Sequence, residues 1–307
     1  MKYESSFKSE ADNLEISIMA VIPDKKPYRA VVQLVHGMSE HKERYLPFMQ
    51  YLAKSGYVTL IHDHRGHGKS VKYQDDLGFT YGGGAQAMLQ DIRTVNRKIH
   101  AYYPELPLIL MGHSMGSLAV RAFVAEHDSC ADMLIVCGSP SYNTAMPLGV
   151  AIAKTEKAVF GPRHRSKLIE TMSFGAGAMK FRKDKRCTAW ICSNPDVAKE
   201  YEESELCGFT FTDDAYLALF ELMKRAYDVE HFSCTNPDMP VLFVSGAEDP
   251  CLINVRHFAK TVRAMRHAGY RDVKGKLYPG MRHEILNEIG KEQVYHDIAV
   301  YMRKKGF

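Results

Sequence analysis

Apolar residues along the chain follow two rhythms. Leu14–Ile22, Ala30–His36, Tyr57–Ile61, Leu108–Met111, Asp132–Cys137 and Val241–Gly246 are short and nearly continuous apolar runs, the pattern of strands buried on both faces. Between them, Tyr45–Lys54 reads as a helix, and Ala85, Met88, Ile92, Val95 and Ile99 recur at helical spacing. A last strand is expected near Lys276, before a closing helix. This alternation predicts an α/β chain with a mostly parallel central sheet flanked by helices. The rhythm stops from about Ser139 to Asn236 and resumes at Met239. Residues 1–138 and 237–307 are therefore expected to form one core, and 139–236 a mainly helical cap insertion.

The run at Leu108 ends in Gly112-x-Ser114-x-Gly116, and an Ala- and Leu-rich helical pattern follows at once, to about Glu126. A serine on a sharp strand-to-helix turn needs glycines two residues to either side, because a side chain there would strike the adjacent strand and helix. Ser114 is thus the candidate nucleophile. Its partners are expected downstream, first an acid and then a histidine, each at the end of a strand. Asp249 follows the run Val241–Gly246, and His283 follows the strand near Lys276. Glu248 is the rival acid, but successive residues of an extended segment face opposite ways, so only one of the two can point at the histidine.

The residue types fit one chemistry. A serine hydroxyl is a weak nucleophile, so His283 would take its proton while Asp249 orients the imidazole. The negative oxygen of the tetrahedral intermediate needs donors, and the backbone N–H groups of Met115 and Met38 are in the expected places.

Several classes drop out. Gly68-Lys69-Ser70 resembles the end of a phosphate-binding loop, but Asp63 stands where that loop requires glycine. The histidines of His62–His67 match no zinc spacing, so a structural turn is expected there and no metal. A net charge of +4 without a basic, aromatic-interleaved stripe gives no ground for nucleic-acid binding. Met146–Ala153 is among the longest apolar stretches, too short to span a bilayer, and Met1–Leu14 is too polar for a signal peptide. Seven cysteines without paired spacing suit a reducing, cytoplasmic setting.

Within the insertion, residues 163–186 carry eight Lys or Arg against Glu170 and Asp184, and 196–230 carry ten acids against Lys199, Lys224 and Arg225. These blocks could pair across the cap or face solvent separately. Trp190, Phe174, Phe209, Phe211, Tyr216 and Phe220 suit a lid over an acyl pocket and an ordinary cap core equally well.

His36-Gly37-Met38-Ser39-Glu40-His41 with Arg44 and Tyr45, Asp63-His64-Arg65-Gly66-His67-Gly68-x-Ser70, Gly112–Gly116, Gly246–Asp249 and Gly280-x-x-His283 together resemble the monoacylglycerol lipase and lysophospholipase branch of the α/β-hydrolase superfamily, with its S33-type domain. The resemblance implies an α/β-hydrolase fold and a serine esterase that needs no cofactor and acts on single-chain lipids, in transient contact with lipid surfaces. It also implies head-group contacts from Glu40 and Arg44. Animal members carry a second histidine three residues after the catalytic one, where this chain has Leu286. Two other classes stay open at this point: an aminopeptidase of the proline-iminopeptidase type, which needs an acidic anchor for a free amino group, and a non-enzymatic receptor on the same scaffold. Dehalogenases and epoxide hydrolases use an aspartate nucleophile, and position 114 is serine.

Overall fold

The computed structural model describes residues 1–184 and 186–307. Among these, eight strands form one sheet: β1 (Lys2–Lys8), β2 (Glu15–Val21), β3 (Val31–Val35), β4 (Val58–His62), β5 (Leu108–His113), β6 (Met133–Cys137), β7 (Val241–Gly246) and β8 (Val273–Tyr278). Their order across the sheet is β1-β2-β4-β3-β5-β6-β7-β8. The first two strands join antiparallel, and every pairing from β4 through β8 is parallel. This is the mostly parallel sheet of an α/β-hydrolase.

The central strands are buried at every position, which is why their sequences read as unbroken apolar runs. Alternate residues serve opposite faces. Val31, Val35, Leu110, Val136 and Phe243 pack beneath helices α2 (Gly84–Tyr102), α3 (Met115–His127) and α8 (Val255–His267). Val32, Leu34, Met111, Ile135 and Val244 pack on the other side under α1 (Leu46–Lys54) and α9 (Lys291–Lys304). The parallel register brings the carboxyl ends of β3, β5, β6 and β7 to one edge, where functional loops gather.

Two elements lie outside the sequence expectation. Strand β1 buries only Phe7 and pairs with β2 alone, so its sequence carries the polar residues of a protected sheet edge. Helix α8 buries Phe258, Val262 and Met265 at helical spacing against the sheet and is otherwise rich in Arg, Lys and His.

Between β6 and β7 run α4 (Met146–Phe160), α5 (Lys167–Lys180), α6 (Pro195–Glu203) and α7 (Asp213–Tyr227). Helix α7 packs as part of the core: Ala215, Tyr216, Ala218, Leu222 and Ala226 join the same apolar cluster as α2 and α3. Arg121 of α3 fastens it, donating to the Ala226 carbonyl at 2.6 Å while its guanidinium lies 4.2 Å from the centre of the Tyr227 ring. The charge blocks divide their work. Arg186 pairs with Glu202 inside the insertion, whereas Arg163 pairs with Asp76 and Arg165 donates to the carbonyls of Leu77 and Thr210. Lys185 of the basic block lies outside the described residues.

The packing of α3 onto the sheet tests this account. A Cβ on Gly116 would sit 2.1 Å from the Val35 carbonyl oxygen, and backbone on both sides cannot give way. Gly116→Ala should therefore cost about 3 kcal/mol or more in urea unfolding. Gly175→Ala, inside α5 with its nearest neighbour 3.5 Å away, should gain up to about 1 kcal/mol. Equal effects at the two positions would contradict the packing described.

Candidate active site

The turn from β5 into α3 holds Ser114 at φ 52° and ψ −120°, a backbone conformation that costs a non-glycine residue about 1–3 kcal/mol. It survives because the surroundings leave no alternative. A Cβ on Gly112 would lie 2.2 Å from the Gly116 carbonyl oxygen, so strand, turn and helix are in backbone contact. The Ser114 N–H donates to the Cys137 carbonyl at 3.0 Å, tying the turn to β6.

The loops after β7 and β8 bring the partners to this hydroxyl. His283 Nε2 lies 2.8 Å from Ser114 Oγ, and His283 Nδ1 lies 3.0 Å from Asp249 Oδ2. Asp249 is buried and accepts two further bonds, from Ser245 Oγ at 3.0 Å and from the Cys251 N–H at 2.8 Å, so its carboxylate is fixed. Glu248 is exposed beside it, as the alternation of an extended segment requires. Burial pulls the His283 pKa down, but the Asp249 charge outweighs this and holds it above the ordinary histidine value. Burial likewise raises the Asp249 carboxyl, and the His283 ring more than compensates, leaving it below the usual carboxylate value. A hydroxyl bonded to an imidazole that is bonded in turn to a buried carboxylate is the arrangement that makes serine nucleophilic.

The loop after β3 lies against the elbow: a Cβ on Gly37 would come within 3.1 Å of Ser114 Cβ. Among the described residues, the N–H groups of Met38 and Met115 donate to no protein acceptor; Met115 directly follows Ser114, and Met38 follows Gly37, which lies against Ser114. Buried histidines brace this loop. The His64 N–H donates to His36 Nε2 at 2.9 Å, His36 Nδ1 donates to the Gly37 carbonyl at 2.8 Å, and His67 Nε2 accepts from the Ser39 N–H at 3.2 Å. Burial depresses the pKa of each, that of His67 to about 4, so the rings are neutral props with fixed tautomers. Asp63 completes the turn by accepting from the Lys42 and Lys69 N–H groups and from Lys42 Nζ. The segment His62–Ser70 is the structural turn its sequence suggested.

Glu40 and Arg44 are enclosed beneath the site. Glu40 Oε1 accepts from the Gly37 N–H at 2.6 Å and from Tyr45 Oη at 2.8 Å, and Oε2 meets Arg44 at 3.1 Å. Arg44 then grips Glu284, the residue after His283, with both guanidinium nitrogens at 2.5 and 2.7 Å. Burial favours a protonated Glu40, yet His113 and Arg44 hold its carboxyl far below the ordinary range. Leu286, Asn287 and His113 close a small hollow around these groups.

Sequence reasoning missed Glu284, whose partner stands 240 positions away; of the aromatics it singled out in the insertion, Trp190 has its ring centre 5.3 Å from that of His283, with Phe174 stacked upon it at 5.6 Å. The insertion also clamps the loops. Arg282 donates to the Ala189 carbonyl, the Glu284 N–H to the Ile191 carbonyl, Lys180 Nζ to the Glu248 carbonyl, and Ser39 Oγ to the Phe209 carbonyl. Such links join partners far apart in sequence and leave no local signature.

Comparison with known proteins agrees with this fold. The model of the Hydrolase_4 family, serine aminopeptidase S33, matches residues 26–290. The monoacylglycerol lipase of Mycolicibacterium smegmatis is 27% identical, over 91% of this chain and 90% of its own length. A thermostable carboxyl esterase from Bacillus coagulans, solved in complex with glycerol, is similar with a TM-score of 0.92 at 25% identity, covering 100% of this chain and 99% of that one. A soluble variant of the monoglyceride lipase of Saccharomyces cerevisiae shares the fold with a TM-score of 0.71 at 20% identity, over 98% and 96% of the two chains. The chain belongs to the Hydrolase_4 family, serine aminopeptidase S33, and has the α/β-hydrolase fold.

Proposed function

We propose that this protein is a serine hydrolase that cleaves carboxylic esters of single-chain lipids, of the monoacylglycerol or lysophospholipid type, through an acyl-enzyme. The observation that carries this reading is the continuous hydrogen-bonded line from Ser114 Oγ through His283 to Asp249. Ser114 Oγ attacks the ester carbonyl carbon while its proton passes to His283 Nε2, and the Met38 and Met115 N–H groups receive the oxyanion. Collapse expels the alcohol, which takes that proton from His283. Water, activated by the same ring, then frees the fatty acid and restores Ser114.

The lipid class is supported by the monoacylglycerol lipase of M. smegmatis among the relatives and by the apolar Trp190 beside His283, with Phe174 stacked on it. We read residues 139–236 as the cap that supplies this apolar cover. Glu40 and Arg44 act on the reaction through Gly37 and the His283 loop, since their polar atoms are engaged by protein partners. The same engagement weighs against the aminopeptidase reading: Glu40 and Glu284 are both held by Arg44, so neither carboxylate is free to anchor an α-amino group. Transient contact with lipid surfaces fits the substrate class; no helix among the described residues is long and apolar enough to cross a membrane. A cytoplasmic setting is supported by the cysteines, all of which are unpaired.

Two predictions follow from the triad and its cover. Asp249→Asn should lower kcat roughly 10⁴-fold by favouring the wrong imidazole tautomer, while Glu248→Gln stays near the parent. The working base is neutral His283, so kcat/KM should be lost as pH falls through a pKa raised above the ordinary 6.5, and without the Asp249 charge that limb should move to lower pH. A pH-rate series on the two variants checks both, and the reverse ranking would identify Glu248 as the acid. For the cover, kcat/KM should rise up to about fourfold per added methylene of acyl chain, the equivalent of about 0.8 kcal/mol each. Phe174→Ala should flatten that dependence more than it slows hydrolysis of an acetyl ester. An intact protein indifferent to acyl length but demanding a free α-amino group would instead be a peptidase.

A further inference from the structure

A second cluster of ionisable groups lies in the insertion, apart from the triad. Glu156 near the end of α4, His164 in the turn after it and Asp213 at the first position of α7 each offer one ligand atom within 4.8 Å of the others. His164 Nδ1 is 2.9 Å from Asp213 Oδ2 and 4.0 Å from Glu156 Oε2. Asp213 is fully buried, yet its Oδ1 has no hydrogen-bond partner among the described residues, and neither has the buried Glu156 Oε2. The neighbouring lysine, Lys157, is committed to Asp214 at 2.6 Å, and His164 is the sole basic side chain forming an ion pair with either carboxylate among the described residues. Burial raises the Asp213 carboxyl, the Glu156 charge pushes the same way, and His164 and Lys157 counter it. Two carboxylates facing one imidazole with buried oxygens to spare are a poor ion pair and a good set of ligands.

We propose that Glu156, His164 and Asp213 form a binding site for a borderline divalent cation of the Zn²⁺ class, which staples the end of α4 to the start of α7. One imidazole nitrogen with two carboxylate oxygens is the donor set of Zn²⁺, Co²⁺ or Ni²⁺, whereas Mg²⁺ and Ca²⁺ take oxygen ligands alone. His164 binds through Nδ1 with its proton on Nε2, and water fills the remaining positions. The backbone already holds the ligands near one another: the Asp213 N–H donates to the His164 carbonyl at 2.8 Å, and the adjacent Thr212 N–H donates to the Gly78 carbonyl of the core at 2.9 Å. An ion here ties the end of α4 to the start of α7, the helix packed on α3. The triad needs no part of it.

The test uses the full chain after treatment with a chelator. Zn²⁺ should raise Tm by about 3 °C or more at saturation, and Co²⁺ should give visible d–d bands without a thiolate-to-metal charge-transfer band. Glu156→Gln and Asp213→Asn should each abolish both signals; Glu156→Gln, at a half-buried position, should keep the parent Tm in chelator and serves if Asp213→Asn does not fold. The proposal is overturned if the parent shows neither signal, if both signals survive in Glu156→Gln, or if a thiolate band places the metal at the Asp249, Cys251 and His283 cluster instead.

Discussion

The close approach of backbone at Gly112 and Gly116 is the constraint on which the rest of the site depends. It lets β5 turn into α3 within one residue and leaves Ser114 at positive φ with nowhere to relax. The strain is local, but the structure that sustains it is not. The Val35 carbonyl beneath Gly116 belongs to β3, whose following loop carries Gly37 and Met38, so the contact that fixes Ser114, the proposed nucleophile, also sets the two N–H groups expected to meet the oxyanion. The proposed nucleophile and donors are thus placed by one packing event, and rigid placement of donors is where hydrolases of this kind gain most of their rate.

Around that point the molecule spends its buried polarity on orientation. Neutral histidines brace the loop after β3, Glu40 and Arg44 link it to the residue following His283, and Ser245 with the Cys251 N–H holds Asp249. Each of these named groups has a partner that fixes a tautomer or a rotamer. The insertion closes the set from outside, since segments of it bond to the loops of all three strands that bear on Ser114. An insertion bonded in this way would transmit its position to Asp249 and His283.

How much of this is legible in the sequence depends on how local the cause is. The elbow is written in five adjacent residues because its sterics involve its own backbone, and the central strands show themselves as apolar runs because both faces are covered. Asp249 and His283 were reachable through chain order and strand-end position, and the structure brings both to Ser114. Strand β1 stayed hidden because an edge strand that buries one residue needs no apolar pattern. That α7 packs in the same apolar cluster as α2 and α3 is invisible in its helical spacing, which gives a buried face without naming what covers it. The Arg44 to Glu284 pair and the stacking of Trp190 near His283 join distant segments, so only the folded chain reveals them.

The central claim is that Ser114 carries the acyl group of a single-chain lipid during turnover. Rapid acid quenching of the enzyme during hydrolysis of a monoacylglycerol, followed by proteolysis and mass spectrometry, tests it directly. The account predicts one peptide heavier by the mass of the fatty acyl group, with the modification on Ser114, and no such peptide when His283 is replaced by alanine. An acyl group found on another residue, or brisk turnover with Ser114 replaced by alanine, would contradict it.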